Sequence, residues 1–222
     1  MAGLKYITQR RAVIAAALGM NALGINQGTS GNVSLRVADG LLITPSGIAY
    51  DAMTPAQVVA LDDAGRYGGR WRPSSEWQMH RDIYRARPEA VAVVHSHATY
   101  ATALSCLRKE VPPFHYMIAV AGGSSLRCAD YATFGTEALS QNMLMALEDR
   151  RACLLANHGL ICFAESLERA LWLAGEVEVL CKQYVIACLA GEPAILSEAE
   201  MAEVSERFKT YGKQDSASDE EA

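Results

Sequence analysis

The stretch Val91-Ala92-Val93-Val94-His95-Ser96-His97-Ala98 decides how the rest of this sequence is interpreted. Small and β-branched apolar residues run directly into His-Ser-His, a pattern that predicts a buried strand ending in two imidazoles. Side chains two residues apart on a strand point to the same side, so His95 and His97 can hold one metal ion between them. The pattern is also compatible with two histidines at a strand end that bond only to backbone and solvent.

Two other segments carry residue types that would complete such a metal site. A second apolar run, Ala152-Cys153-Leu154-Leu155-Ala156, also leads to a histidine, His158, and Ser74-Ser75-Glu76 opens a predicted helix. Three imidazoles and one carboxylate from separate segments fit a tetrahedral zinc-type site. Glu76 alone is also explained as an acidic residue in a first helical turn, with a Ser74 or Ser75 cap. His80, one turn further on, is predicted to pack between helix and sheet.

Two polar, glycine-containing loops are candidates for binding an anion. They are Asn26-Gln27-Gly28-Thr29-Ser30-Gly31-Asn32 and Pro45-Ser46-Gly47. Glycine lets backbone N–H groups approach an anion closely, and Ser, Thr and Asn add further donors. From these residues alone, a phosphate pocket and two ordinary loops both stay open.

The predicted helices and strands alternate along the chain, with hairpins among the strands. The helices are predicted at about 4–23, 74–87, 99–104, 137–148, 167–189 and 196–208, and a helix start at 54–57; the strands at 33–37, 41–44, 58–62, 91–94, 152–156 and 160–164. This order favours an α/β fold, a three-layer α/β/α single domain with a central mixed, mostly antiparallel sheet. We expect one domain over residues 1–213 and an acidic, disordered tail over 214–222.

Composition excludes several classes of partner. The net charge is −5 with a pI near 5.6, so no basic surface is expected for nucleic acid or anionic membranes. No apolar run approaches the length of a membrane span. The apolar run after Arg10-Arg11 resembles the hydrophobic region of a signal peptide. Because Gly19 and Asn21 interrupt it, we predict a core helix instead.

The cysteines indicate a reduced, cytoplasmic protein, because none forms a Cys-x-x-Cys pair and several lie in apolar runs. The six are Cys106, Cys128, Cys153, Cys162, Cys181 and Cys188.

Taken together, these motifs resemble the class II aldolase/adducin family, in its L-fuculose-1-phosphate aldolase branch. The resemblance runs from the first helix through Tyr211 and keeps the order and spacing of the motifs. The matching segments are Asn26-Gln27-Gly28-Thr29-Ser30-Gly31-Asn32-Val33-Ser34, Ile43-Thr44-Pro45-Ser46-Gly47-Ile48, Ser74-Ser75-Glu76-Trp77, Val93-Val94-His95-Ser96-His97-Ala98, His115-Tyr116-Met117-Ile118-Ala119, Tyr131-Ala132-Thr133-Phe134-Gly135-Thr136, Asn157-His158-Gly159-Leu160 and Phe208-Lys209-Thr210-Tyr211-Gly212.

The resemblance implies a nine-stranded, largely antiparallel sheet and a homotetramer whose active site lies at a subunit boundary. It implies that His95, His97 and His158 hold Zn²⁺, or another divalent ion such as Mn²⁺ or Co²⁺, with Glu76 as fourth ligand and proton shuttle. Partial burial is expected to raise the pKa of Glu76, and the charge of the metal is expected to oppose this shift.

The resemblance also implies the substrate contacts. Tyr116 from the adjacent subunit would exchange a proton with the aldehyde oxygen, and Phe134 and Tyr211, also from the neighbour, would line the aldehyde pocket. The residues implied to bind the substrate phosphate are Gly31, Asn32, Ser46, Gly47, Ser74 and Ser75.

The implied reaction is reversible cleavage of a ketose 1-phosphate, of the L-fuculose 1-phosphate type, to dihydroxyacetone phosphate and a short aldehyde such as L-lactaldehyde. The sequence departs from the fuculose pattern at Ala98-Thr99-Tyr100 and Ala156-Asn157, which leaves the aldehyde open. A 5-deoxyribulose 1-phosphate or 5-methylthioribulose 1-phosphate aldolase is therefore an alternative. A ribulose-phosphate 4-epimerase, which generally carries Asp in place of Glu76, a methylthioribulose-phosphate dehydratase and a non-catalytic adducin-like module are further alternatives.

Overall fold

The computed structural model describes residues 4–210, so Tyr211 and the predicted tail at 214–222 lie outside the described residues. The α-helices of this part are α1 (Ile7–Ala22), α2 (Trp77–Ala86), α3 (Thr99–Ser105), α4 (Glu137–Ala146), α5 (Leu167–Ala190) and α6 (Glu198–Phe208). The strands are β1 (Asn32–Val37), β2 (Gly40–Ile43), β3 (Val59–Leu61), β4 (Ala92–Ser96), β5 (Cys128–Ala129), β6 (Ala152–Leu155) and β7 (Gly159–Ala164).

The seven described strands form one sheet in the order β3-β2-β1-β4-β7-β6-β5. Every neighbouring pair is antiparallel except β5 and β6, which are parallel. The predicted mixed, mostly antiparallel sheet is confirmed, but the described residues contain seven strands and not the nine that the family resemblance implied. Strand β4 lies at the centre, between β1 and β7.

Apolar side chains on the two faces of the sheet form two separate cores. Val94 packs in a core with residues of α1, α3 and α5, whereas Val93 packs in a core with residues of α2 and α4. Successive side chains of a strand point to opposite faces of the sheet. Because both faces are buried here, β4 is apolar at consecutive positions. Helices therefore cover both faces, as the three-layer prediction requires. No described helix is both long and apolar enough to cross a bilayer.

Two local predictions are wrong. Residues 54–57 form a turn and not a helix start, because the Gln57 side chain accepts hydrogen bonds from the Thr54 N–H and hydroxyl and closes the segment on itself. The cysteines are all free, but Cys106 and Cys188 are exposed and do not belong to the core.

Gly159 lets β7 approach the end of β4 closely. A Cβ at this position would lie 2.4 Å from the Ser96 carbonyl oxygen and 3.2 Å from Cδ2 of His97. Both distances are shorter than ordinary contacts, and the closer one is to backbone, so the strands would have to separate.

We therefore predict that Gly159→Ala lowers the free energy of unfolding of the metal-free protein by about 1–3 kcal/mol, as overpacking does elsewhere. Gly68→Ala is the control, because nothing lies within 4 Å of a Cβ there and its φ is not in the left-handed region. Denaturant titration of both variants measures the difference. Equal stability of the two variants would contradict the close approach seen here.

Candidate metal centre

Three of the five histidines are brought together by the pairing of β4 with β7. His95 lies in β4, His97 follows that strand, and His158 lies in the turn from β6 to β7. Ser96 is directly opposite Leu160, so the β6–β7 turn lies beside the end of β4. Asn157 adopts a left-handed conformation with φ 54°, which asparagine tolerates better than most residues.

Glu76 completes the group from the start of α2. One ligand atom from each of Glu76, His95, His97 and His158 lies within 4.8 Å of all the others. Oε2 of Glu76 is 3.1 Å from Nε2 of His95, and Oε1 is 3.0 Å from Nε2 of His158. Ligand atoms on a tetrahedral zinc ion with bonds near 2.0–2.1 Å are separated by about 3.3 Å.

When the imidazoles are neutral, the ligand atoms of this group face one another without a hydrogen between them. Nδ1 of His95 lies 2.8 Å from the Leu160 carbonyl oxygen, which only accepts, so Nδ1 carries the hydrogen. In the neutral ring, Nε2 then presents a lone pair to Glu76. Nε2 of His95, Nε2 of His97 and Oε1 of Glu76 are buried and have no hydrogen-bond partner. A divalent cation satisfies all three, so the donor set fits a metal ion.

Electrostatics favour a neutral His97 and an ionised Glu76, whereas in the metal-free protein the Glu76 carboxylate raises the pKa of His95 against the lowering that burial causes. Burial lowers the pKa of His97 to about 4, so its imidazole is neutral at pH 7. Burial alone raises the pKa of Glu76, but the adjacent His95 and His158 lower it by more, so Glu76 is ionised. Burial thus raises the pKa of Glu76 as expected, but in the metal-free protein His95 and His158 outweigh this contribution and the net shift is downward.

The start of α2 differs from the predicted capping. Glu76 itself occupies the N-cap position, and no side chain caps the helix. Ser74 Oγ instead accepts a hydrogen bond of 3.3 Å from the Glu76 N–H. Glu76 is 5% exposed, so its carboxylate points into the molecule and not toward solvent at the first turn.

Two of the predicted phosphate-binding segments are joined by backbone hydrogen bonds. The Ser46 N–H donates to the Arg72 carbonyl at 3.0 Å, and the Ser74 N–H donates to the Thr44 carbonyl at 3.0 Å. This pairing places Ser46 and Gly47 next to Ser74 and Ser75. Ser46, Gly47 and Ser75 are exposed, whereas Ser74 is buried.

The third predicted phosphate segment leads directly to the metal group. Asn32 lies opposite His95 in the β1–β4 pair, and its side chain is buried. Nδ2 of Asn32 donates a 2.9 Å hydrogen bond to Oε2 of Glu76. A Cβ on Gly31 would lie 2.5 Å from the His95 carbonyl, so only glycine fits at this approach.

A surface cavity of about 280 Å³ opens onto the metal group. Phe134, which the resemblance assigned to a neighbouring subunit, lines this cavity in its own chain. Sequence reasoning did not single out Ser30, Tyr131 or Asn157, although each lies within a motif that it quoted. The lining residues are Ser30, Ser75, Glu76, His97, Tyr131, Ala132, Phe134, Asn157 and His158.

Tyr116 does not lie in this cavity. It begins a 3₁₀-helix, Tyr116–Ala121, is 49% exposed, and lines a different cavity together with Trp172 and Phe208. Its ring stacks on that of His115 at a centroid distance of 4.8 Å. Within one chain, therefore, Tyr116 is not brought together with Glu76.

Comparison with known families identifies the scaffold. The family profile described as Class II Aldolase and Adducin N-terminal domain matches residues 11–185, a range that includes all four members of the metal group. The chain belongs to the class II aldolase and adducin family.

Individual members of this aldolase family match over nearly the whole chain. An L-fuculose phosphate aldolase of Escherichia coli (strain K12) is 51% identical over 203 residues, which cover 91% of this chain and 94% of that protein. A 5-methylthioribulose-1-phosphate/5-deoxyribulose-1-phosphate aldolase of Rhodospirillum rubrum is 49% identical over 206 residues, 93% of each. A solved L-fuculose 1-phosphate aldolase superposes with a TM-score of 0.88 at 39% identity, covering 93% of this chain and 98% of that one.

We predict that His97→Ala weakens divalent metal binding by more than about 100-fold, because even outer-shell substitutions cost 10–100-fold. His115→Ala is the matched control, since His115 lies outside the metal group. Titration of chelator-treated protein with Zn²⁺ measures both. Metal affinity that is unchanged in His97→Ala would remove this residue from the ligand set.

Proposed function

We propose that the protein is a zinc-dependent class II aldolase that reversibly cleaves L-fuculose 1-phosphate to dihydroxyacetone phosphate and L-lactaldehyde. The convergence of Glu76 with His95, His97 and His158 carries this proposal, because non-catalytic members of the scaffold do not need such a group. The 51% identical L-fuculose phosphate aldolase supports the substrate. Cleavage of 5-deoxyribulose or 5-methylthioribulose 1-phosphate is the second candidate, supported by the 49% identical relative.

In this proposal each ligand has a chemical task. A zinc ion bound by the three imidazoles supplies Lewis-acid polarisation of the substrate ketone. Glu76 would leave the metal when substrate binds. In condensation its carboxylate would take the proton from the carbon beside the ketone, and in cleavage it would return that proton to the same carbon after the C–C bond breaks. The cavity beside Glu76 provides the space for this movement. Mn²⁺ or Co²⁺ could be held by the same donors, and zinc is proposed because three imidazoles and one carboxylate suit it.

We assign the substrate phosphate to Gly31, Asn32, Ser46, Gly47, Ser74 and Ser75. The backbone bonds between the 44–47 and 72–75 segments support this assignment, because they hold the exposed Ser46 and Ser75 hydroxyl groups in neighbouring segments, although the N–H groups of Ser46 and Ser74 are used in these bonds. Gly47 is exposed and has φ 69°, a left-handed conformation that glycine adopts readily. Such a pocket stabilises the phosphate through several hydrogen bonds and requires no lysine.

We further propose a homotetramer with the active site at a subunit boundary. The position of Tyr116 supports it: in one chain this residue lines a different cavity, although the proposed reaction needs a group that takes the hydroxyl proton in cleavage and gives it to the aldehyde oxygen in condensation. In the proposal Tyr116 of a neighbouring subunit supplies it. Tyr211 and Phe134 line the aldehyde end, with Phe134 provided by the chain that holds the metal. A cytoplasmic location is part of the proposal, supported by six free cysteines.

A panel of aldehydes tests the substrate assignment. Purified, zinc-loaded protein is expected to release dihydroxyacetone phosphate from L-fuculose 1-phosphate. In the condensation direction it should use lactaldehyde with a higher kcat/KM than acetaldehyde or methylthioacetaldehyde. A preference for either of the latter two would favour the second candidate. Failure to make dihydroxyacetone phosphate from any ketose 1-phosphate would overturn the aldolase proposal, because an epimerase or dehydratase does not form it.

Subunit mixing tests the boundary. Glu76→Gln should retain the metal on three imidazoles but lower cleavage activity by about 100-fold or more. Tyr116→Phe should lower the rate of the step that forms or consumes the aldehyde by a similar factor. If the two residues act across a boundary, refolding both variants together restores activity, because about a quarter of the sites then pair an intact Glu76 with an intact Tyr116. Differently tagged chains verify mixing. Mixed oligomers without recovered activity would place the two residues in the same chain's site.

A further inference from the structure

A buried line of polar side chains runs from the sheet interior to Glu76. Tyr84 Oη and Ser34 Oγ are 2.7 Å apart, and Ser34 Oγ is 2.7 Å from Nδ1 of His80. Nε2 of His80 bonds to Oδ1 of Asn32, whose Nδ2 donates to Oε2 of Glu76 at 2.9 Å. All five residues are buried, and His80 and Ser34 are fully so.

The direction of each hydrogen bond in this line is determined by the chemistry of its members. Oδ1 of Asn32 only accepts, so the hydrogen lies on Nε2 of His80. Burial lowers the pKa of His80 to about 3, so the ring is neutral at pH 7 and carries one N–H. Nδ1 must then accept from the Ser34 hydroxyl, whose oxygen accepts from Tyr84. Every donor thus points toward Glu76.

We propose that His80 is a positioning residue, which orients Asn32 by the His80 Nε2–Asn32 Oδ1 hydrogen bond so that the Asn32 amide N–H holds the Glu76 carboxylate in its ligating position. The reverse orientation of the amide would place Oδ1 of Asn32 against Oε2 of Glu76, two acceptors with no hydrogen between them. It would also set the amide NH₂ against Nε2 of His80, which requires the ring hydrogen to move to Nδ1. Sequence reasoning treated His80 as a packing residue only, because helical spacing marks a buried position but not its hydrogen bonds.

The surrounding structure keeps this arrangement fixed while Glu76 moves. His80 lies in α2, one turn after Glu76, and Asn32 is held by its pairing with His95 between β1 and β4. Because Asn32 and His80 are anchored in regular structure, the carboxylate returns to the same donor after each turnover. This role rests on the proposed function of Glu76 as a movable ligand.

Two substitutions of His80 separate positioning from packing. In His80→Gln the side-chain amide reaches the former Nε2 position and can still donate to Asn32. In His80→Asn the shorter amide reaches only the Nδ1 position, so it can keep the contact with Ser34 but not the one with Asn32. Both variants lose the imidazole ring, so a purely structural role would impair both.

The readouts are the Zn²⁺ dissociation constant of chelator-treated protein and the kcat for cleavage. We expect His80→Asn to weaken zinc binding and lower kcat by about tenfold each, the lower end of outer-shell effects on metal sites. We expect His80→Gln to stay within about threefold of the unsubstituted protein in both. Equal losses in the two variants, or no loss in either, would overturn the proposal.

A measurement on the unsubstituted protein covers the case in which the variants do not fold. Imidazole ¹⁵N chemical shifts of His80 at pH 7 are expected to show a neutral ring with the hydrogen on Nε2. A hydrogen on Nδ1, or a charged ring, would overturn the proposed orientation of Asn32. Metal affinity and tautomer do not depend on the reaction catalysed, so they test His80 even if the aldehyde panel refutes the aldolase proposal.

Discussion

Two hydrogen-bond acceptors, Nε2 of His95 and Oε2 of Glu76, lie 3.1 Å apart in the protein interior, and the rest of the site depends on this contact. In the neutral ring Nδ1 of His95 holds the only ring hydrogen, so neither atom offers one to the other. Among the described residues, Nε2 of His95 has no hydrogen-bond partner, and Oε2 of Glu76 receives a hydrogen only from Asn32. A buried acceptor without a partner costs free energy, and a divalent cation bound by both atoms converts that cost into binding. The fold maintains the contact because His95 lies in the central strand, which is bonded on both sides.

The architecture determines which residues reach this point. Antiparallel pairing of β4 with β7 brings the β6–β7 turn, and with it His158, to the end of the strand that carries His95. The pairing of Asn32 with His95 brings the first glycine loop to the same place. Helices pack on both faces of the sheet, so the metal group is accessible only from the loops. Phe134 and Tyr131 in these loops border the cavity. Variation in such loops changes the substrate without disturbing the metal donors.

The sequence predicts the parts of the site that follow a backbone repeat. His95 and His97 are recognised because side chains two residues apart on a strand point to the same side. The three-layer fold is recognised from the order of the predicted helices and strands. Glu76 needed the family motif, because an acidic residue at a helix start has an ordinary explanation. The bonding of His80 to Asn32 joins residues 48 positions apart, and nothing in the local pattern of either one encodes it. Residues 4–210 contain seven strands and not nine, and Pro45–Pro73 and Val111–Leu126 pair only as isolated bridges.

X-ray absorption spectroscopy of the zinc-loaded protein tests the central claim most directly, because it measures the ligands of the bound ion irrespective of the reaction. The account predicts one zinc ion per chain with three imidazole nitrogens and one carboxylate oxygen at about 2.0–2.1 Å. A bound ion with fewer than three imidazole ligands, or protein that retains no divalent ion after equilibration with zinc, would contradict it.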